Sequence, residues 1–265
     1  MLKYILLPLF MLFTAVSAAA AAELRITDAA NGAPVTKILR DAALKLVFSG
    51  DAVSMKRVLP STGSVQTILR GETDILVTDR RFLPEKTDDI EVIPFAAEAL
   101  CLYIHPGNPT GSLTPERVLE ILTQERPRWK NPNLQKIDIQ RIMLKPEIDG
   151  AGVHRRIFGE KNYASEVFRV SSPEQIFTFL TPAALGIAPF IPGTFMQVEF
   201  LPVNDIVPTA GNIISGKYPL TLQYVLICRR QAAPHIRKFI DSVLSDENRR
   251  QLPEYGGIPL WEKKP

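Results

Sequence analysis

The chain has 265 residues, with 31 lysines and arginines against 28 aspartates and glutamates and a formal net charge of +3. This near balance argues against a nucleic-acid-binding protein, which would carry a basic stripe. Hydrophobic residues make up 46% of the chain, enough for a full core, and the 22 prolines favour many short connections. The three histidines and two cysteines are scattered without metal-ligand spacing, so we predict no metal site and no cofactor.

The first 22 residues have the pattern of a cleavable secretion signal. Lys3 supplies the positive start, residues 5–16 are nearly all apolar, and residues 17–22 are small residues suited to cleavage. The alternative is a retained N-terminal anchor helix, although the apolar run is short for a membrane span. No cysteine follows the cleavage region, so we expect no lipid anchor. The prediction is a mature chain of 243 residues in a bacterial periplasm.

The mature chain alternates between strand and helix patterns, which predicts an α/β fold. After a strand at 24–27, a helix begins at Pro34 and carries its apolar residues on one face: Val35, Ile38, Leu39, Ala42 and Leu46. The remaining predicted elements are a strand at 53–59, a helix at 64–70, a strand at 75–78, strand-like runs over 91–105, a helix capped by Thr114, a strand at 137–144, a helix after the turn at 149–152, a helix opened by a capping box at Ser172–Gln175, strands at 184–191 and 197–203, a long strand at 218–228 and a helix near 234–250.

Residues 61–80 form the most informative segment of the sequence. A small polar turn precedes a short helix, and the buried strand that follows ends at Thr78, Asp79 and Arg80. Free N–H groups at a helix N-terminus suit an anion, and α/β proteins hold ligands at the carboxyl ends of their strands. The segment therefore predicts half of a ligand cleft. Similar glycine-containing joints occur at 30–35 and 149–153.

Short motifs in a fixed order connect this chain to a known family. They are NGAP at 31–34, STGS at 61–64, GETDILVTDR at 71–80, HPGNP at 105–109, DGAGV at 149–153 and GGIPL at 256–260. In order and spacing the chain resembles the phosphate-type solute-binding proteins of ABC importers, over nearly all of its mature length. The resemblance implies the two-lobed type 2 periplasmic binding protein fold, an α/β fold with mixed sheets flanked by helices and two crossover hinge strands. Lobe 1 would comprise residues 23–98 plus 221–265 and lobe 2 residues 99–220, with hinge strands near 99–105 and 220–228.

The resemblance also implies a set of ligand-binding residues on both lobes. Those on lobe 1 are Thr27, Gly32, Ala33, Ser61, Thr62, Gly63, Ser64 and Asp79, and those on lobe 2 are Lys145, Gly150, Ala151, Gly152 and His154. A carboxylate at Asp79 would favour an oxyanion that still carries a proton, such as phosphate. The chain is a divergent member, because Ala151 and Val153 replace two hydroxyl residues of the family pattern and Glu147 stands near the position of its arginine.

Cys101 and Cys228 both lie in strand-like runs. Sequence alone leaves two alternatives open, buried free thiols or a disulfide formed in an oxidising compartment. On the mapping that the resemblance implies, the two hinge strands run side by side and antiparallel. Cys101 would then start one strand and Cys228 would end the other, which brings the two cysteines near each other.

The resemblance implies a monomeric periplasmic protein that captures a small phosphate-like anion between its lobes and presents it to an ABC permease in the membrane. The alternative is a sensor or interaction module on the same fold that has lost the phosphate site, and the missing hydroxyls at Ala151 and Val153 favour it. We do not expect an enzyme, because the sequence has no nucleophile elbow and no recognisable triad.

Overall fold

The computed structural model describes residues 23–85, 88–146, 152–191 and 198–262. The predicted signal at 1–22 and the predicted ligand residues Gly150 and Ala151 lie outside the described residues. Within the described ranges, no helix combines the length and the apolar character that crossing a bilayer requires.

The elements of the described residues alternate along the chain as the patterns predict. The strands are β1 (Leu24–Asp28), β2 (Val53–Arg57), β3 (Ile75–Asp79), β4 (Ile90–Ile104), β5 (Gln140–Leu144), β6 (Phe168–Val170), β7 (Ala184–Pro189), β8 (Glu199–Phe200), β9 (Thr221–Arg229) and β10 (Ile258–Pro259). The α-helices are α1 (Ala33–Phe48), α2 (Gln66–Leu69), α3 (Pro115–Thr123), α4 (Val153–Phe158), α5 (Pro173–Phe179), α6 (Ala210–Ile214), α7 (Pro234–Val243) and α8 (Asp246–Gln251), and short 3₁₀ helices lie at Thr62–Val65, Arg80–Phe82 and Leu252–Tyr255.

The strands form one mixed sheet, with the order β2-β1-β3-β9-β4-β7-β5-β6 and with β8 and β10 paired to β4 beside this path. β1 runs parallel to β2 and β3, and β5 runs parallel to β6 and β7. β4 and β9 are antiparallel to their neighbours. The mixed α/β architecture predicted from the sequence is confirmed.

β4 joins the two halves of the sheet. Its residues Ile90 to Ala99 pair with β9, and its residues Leu100 to Tyr103 pair with β7. We call the half that contains β1, β2, β3, β9 and β10 lobe 1, and the half that contains β5, β6, β7 and β8 lobe 2. The change of partner lies beside the predicted lobe boundary at 98/99, and the N–H of Leu100 donates to the carbonyl of Leu220 at 2.9 Å. The chain therefore crosses between the lobes at two adjacent points, while the full residue limits of the lobes stay a prediction.

A disulfide between Cys101 and Cys228, one of the two alternatives, is excluded by the register of the strands. Both residues are buried free cysteines. Cys228 lies opposite Glu91, whereas Cys101 follows ten residues later on β4, in the part that pairs with β7. At about 3.3 Å per residue the two lie roughly 30 Å apart, and a disulfide needs Cα atoms within about 7 Å. The expected proximity was wrong because β4 begins at Ile90, well before Cys101.

The first helix confirms the predicted apolar stripe. Pro34 lies in the first turn of α1. The five predicted residues are at most 2% exposed, because they pack against the sheet of lobe 1: Val35, Ile38, Leu39, Ala42 and Leu46.

Two predicted helix ends differ from the structure. The single helix near 234–250 is two helices, because α7 ends at Val243 and the Ser245 hydroxyl accepts from the N–H of Asn248 to begin α8. The capping box at Ser172 does not form, since the Ser172 side chain makes no cap hydrogen bond to the α5 backbone and the Gln175 side chain instead accepts from the N–H of Ser171 at 2.7 Å.

Candidate functional site

The carboxyl ends of the three parallel strands of lobe 1 meet at one edge of the sheet. Asp28, Arg57 and Asp79 are the last residues of β1, β2 and β3. A cleft of about 640 Å³ opens at this edge and is closed on its far side by α4 and residues 159–160 of lobe 2. The cleft therefore lies where α/β proteins hold their ligands.

Basic side chains outnumber acidic ones around the cleft. The six basic residues that line it are Lys37, Arg40, Arg57, Arg81, Arg155 and Arg156. The three acidic ones are Asp41, Asp79 and Glu160. Two buried carboxylates behind the lining, Asp28 and Glu98, lie against Arg57 and Arg156, so six basic groups face five acidic ones. The remaining excess of positive charge favours an anion inside.

Asp28, which the sequence analysis missed, caps the loop between β1 and α1. Its carboxylate accepts from the N–H groups of Ala30 and Asn31, at 3.0 and 3.3 Å, and from the Thr36 hydroxyl at 2.9 Å. These donors lie in the loop and first turn of α1, next to the predicted ligand residues Gly32 and Ala33. The loop before α1 is thus satisfied by its own chain, and an aspartate at a strand end before an Asn-Gly turn is the sequence signal for such a cap.

Asp79 lines the cleft as predicted, but Arg81 already occupies its carboxylate. The backbone N–H of Arg81 donates to Asp79 at 2.8 Å, and the Arg81 guanidinium pairs with it at 2.9 Å. The same guanidinium donates to the carbonyl oxygens of Arg156 and Ile157 in α4, at 2.9 and 3.2 Å. Arg81 therefore bridges the two lobes across the cleft.

A second connection between the lobes is buried. Arg156 of α4 forms an ion pair with Glu98 of β4 at 2.5 Å, and their side chains are 8% and 1% exposed. The Tyr224 hydroxyl donates to the other oxygen of Glu98 at 2.9 Å, and burial raises the pKa of Tyr224 well above its ordinary value, so this hydroxyl stays protonated. Glu98 is the one acidic residue in the apolar run 95–104, a signal that sequence reasoning passed over.

Tyr224 leaves no room for a side chain at Gly32, because a Cβ atom there would lie 2.8 Å from the Tyr224 hydroxyl oxygen. In the structure Gly32 provides close packing under the cleft, and its predicted role as a ligand-binding residue stays a prediction. Ala33 begins α1 beside it.

The other predicted residues of lobe 1 make contacts with their own lobe. The Thr27 hydroxyl is buried against the Thr73 hydroxyl at 2.9 Å and does not line the cleft. The Ser61 and Ser64 hydroxyls bond to each other at 3.0 Å. Gly63 belongs to the 3₁₀ helix that starts at Thr62.

On lobe 2, His154 lies away from the cleft. Its ring packs edge-on against Tyr163, with centroids 4.8 Å apart, and it lines a separate cavity of about 230 Å³. Burial, assisted by the charge of Arg155, lowers the pKa of His154 to about 4, so the ring is neutral. Gly152 precedes α4 with a φ of 81°, and a Cβ atom there would clash with the His154 ring. The predicted role of His154 as an anion ligand is therefore not supported, because its ring is buried against Tyr163 and does not line the cleft.

Lys145 is exposed and its backbone N–H donates to Val170. Among the basic side chains of the cleft, two that the sequence analysis did not single out have the weakest pairing with carboxylates. Within the described ranges, the ion-pair partner of Arg57 is the capped Asp28, at 3.7 Å. Arg40 forms no ion pair with any residue of the described ranges. Both are exposed residues of the cleft wall.

Comparisons with known proteins agree with this architecture. The phosphate-binding protein PstS of Bacillus subtilis (strain 168) is 21% identical over 236 residues, which cover 84% of this chain and 73% of that protein. The crystal structure of an ABC-type phosphate transport receptor from Vibrio cholerae matches with a TM-score of 0.60 and 20% identity, over 88% of this chain and 99% of that one. A possible phosphate binding protein from Planctomyces limnophilus DSM 3776 matches with a TM-score of 0.69 and 15% identity, over 91% and 94% of the two chains.

At such identities the structural likeness establishes the fold, which is the predicted type 2 periplasmic binding protein fold. A family model described as a PBP superfamily domain matches residues 15–247 of the sequence. Since that match spans most of the chain, the protein belongs to the PBP superfamily.

Proposed function

We propose that the protein captures an anionic solute in the cleft between its lobes and presents it to an ABC permease from the periplasm. The observation that carries this proposal is the excess of basic side chains around a cleft at the carboxyl ends of parallel strands. The relatives named as phosphate-binding proteins support a transported anion. No bond chemistry is part of the proposed function.

Capture would act through the equilibrium between open and closed lobes. The two crossing points at Leu100 and Leu220 lie side by side, which suits a hinge. A solute that contacts both walls favours the closed form by its difference in affinity for the two forms. Arg81 already holds the lobes together through the carbonyls of Arg156 and Ile157, so the solute adds to an existing bridge.

A second candidate function is a sensor or interaction module that no longer binds phosphate. The specific observation in its favour is that the inherited anion contacts are satisfied internally: Asp28 takes the first-loop N–H groups, Ser61 pairs with Ser64, and Arg81 takes Asp79. On this view the Arg81 bridge replaces a ligand.

A thermal-shift measurement on the purified protein tests the choice. Phosphate, sulfate, small organic phosphates and carboxylates are added over a range of concentrations. If the protein captures anions, at least one anion should raise the unfolding midpoint as its concentration increases. At an anion concentration of a hundred times Kd, the added stability is about 2.7 kcal/mol. If no anion shifts the midpoint, the capture proposal fails and the sensor module is favoured.

Matched variants locate the binding. Arg57→Glu places a negative charge in the cleft wall, and it should abolish the shift. Arg126→Glu makes the same change on an exposed side chain outside the cleft, and it should leave the shift intact. Asp79→Ala frees Arg81, so an undiminished or larger shift would assign Asp79 to the bridge, and a lost shift would assign it to the ligand.

A further inference from the structure

We infer that the captured solute is an amphipathic organic anion, with its charged head near Arg40 and Arg57 and its apolar body along the cleft wall, rather than a bare inorganic oxyanion. This inference rests on the proposed function, because it names the class of solute for the same cleft.

The first step concerns size. An oxyanion made of one central atom and four oxygens fills at most roughly 150 Å³, taking about 30 Å³ per heavy atom as for water. The cleft holds about 640 Å³, which is in the range of sites for larger organic ligands. This volume belongs to lobes that are already in contact, because Arg81 bridges them. Closure around a small oxyanion would leave most of the space unfilled.

The second step concerns the cations that remain for a ligand. Arg81 and Arg156 are committed to the buried carboxylates of Asp79 and Glu98. Arg57 lies 3.7 Å from Asp28, whose oxygens already accept three hydrogen bonds, and Arg40 forms no ion pair within the described ranges.

Arg40 and Arg57 line the same cleft, and Asp28 connects the elements that carry them. Asp28 bonds to Thr36 at 2.9 Å and lies beside Arg57, and Arg40 follows Thr36 by four residues on the same face of α1. Two guanidinium groups on one side of the cleft suit a carboxylate or a phosphate head, to which each can donate in a bidentate manner.

The third step concerns the apolar wall. Leu59, Pro60, Phe82 and Leu222 line the same cleft. Leu59 is 84% exposed and lies just before the polar turn at 61–64. An apolar group of the ligand that covers this exposed leucine would stabilise the complex, because apolar surface leaves water. Inorganic phosphate offers no such group, whereas an aryl or alkyl anion does.

The test compares anions that share a head and differ in an apolar body. Isothermal titration calorimetry on the purified protein uses inorganic phosphate against phenyl phosphate, and acetate against benzoate. We expect the aromatic member of at least one pair to bind about tenfold more tightly or better, which is about 1.4 kcal/mol. Covering only about 60 Å² of apolar surface gives that gain. The two pairs also show which head the arginines prefer.

Two variants and their controls make the outcome specific. Arg40→Ala should weaken both members of the preferred pair about tenfold, while Arg126→Ala should not. Leu59→Ser should remove most of the advantage of the aromatic member and leave the small anion unaffected. Phe48→Ser alters a side chain of similar exposure, 86%, that lies outside the cleft, and it should preserve the advantage.

Each result has one meaning. If inorganic phosphate and acetate bind as tightly as their aromatic partners, the amphipathic solute is rejected while anion capture stands. If none of the four anions binds at millimolar concentration, both the inference and the capture proposal fail. If Leu59→Ser and Phe48→Ser both keep the advantage, the apolar wall is not where the body lies, and the inference is overturned.

Discussion

The buried ion pair between Arg156 and Glu98 gives the sharpest test of how the lobes are held together. Arg156→Ala removes the cation and leaves the Glu98 carboxylate, 1% exposed, with the Tyr224 hydroxyl as its remaining hydrogen-bond partner within the described ranges. Breaking a buried pair from one side costs about 3–5 kcal/mol, because a charge stays in a medium of low dielectric constant. Because the free energy of unfolding of natural proteins is about 5–15 kcal/mol, this change removes a large part of the total stability.

Urea denaturation followed by circular dichroism measures the effect, through the midpoint and the slope m. The matched control is Arg126→Ala, because Arg126 is 76% exposed and its ion pair with Asp138 should contribute less than about 1 kcal/mol. Arg156→Ala leaves the backbone carbonyl that Arg81 contacts in place, so the Arg81 bridge is not removed with it.

A double-mutant cycle separates the pair from its surroundings. With Glu98→Gln added, the Arg156→Ala protein should regain part of the loss, because the uncompensated charge is gone. The reasoning is refuted if Arg156→Ala costs no more than Arg126→Ala, or if the two changes at Arg156 and Glu98 are simply additive.

Three further predictions concern buried groups. Burial lowers the pKa of His154 to about 4 from 6.5, so between these pH values the folded state binds fewer protons than the unfolded state. The free energy of unfolding should therefore fall by up to about 3 kcal/mol as the pH drops through this window. Urea titrations at fixed pH should show that His154→Gln lacks this part of the decrease, and a pH profile identical to that of the unchanged protein would contradict the prediction. Gly32→Ala should lower the stability measured by thermal unfolding by about 1–3 kcal/mol, because the new Cβ atom would press on the Tyr224 hydroxyl. In the control Gly63→Ala the new Cβ atom meets only a distant hydroxyl, so stability should hardly change. Equal losses of stability in the two variants would refute the close contact. Thr27→Val should lose about 1 kcal/mol of stability with the removed hydroxyl hydrogen bond and leave anion affinity unchanged, and a loss of affinity in calorimetry would return Thr27 to the site.

The fold was largely predictable because local patterns and tertiary structure agree. The stripe on α1 and the buried strand β3 follow from the spacing of apolar residues, and the Thr114 cap follows from a threonine before Pro115. Helix breaks were harder, since the end of α7 depends on a serine cap that competes with a continuing helical pattern.

The candidate site was predictable in position but less so in its contacts. Asp79 lies in the cleft, yet its partner Arg81 reaches it by a turn of the chain that periodicity does not describe. Glu98 and Arg156 lie 58 residues apart, and only the fold brings them together. Exposed long side chains, such as Arg40 in the middle of α1 and Arg57 at the end of β2, carry no periodic signal, so their shared cleft was visible only in three dimensions.

The shared strand β4 has a consequence for how the molecule comes apart. Ala99 and Leu100 are consecutive residues of one strand but pair with different halves of the sheet, and a single apolar core includes residues from both halves. Neither half can lose its strands without releasing a partner of the other. Heating should therefore give a single cooperative transition, with calorimetric and van't Hoff enthalpies that agree, rather than successive melting of two bodies.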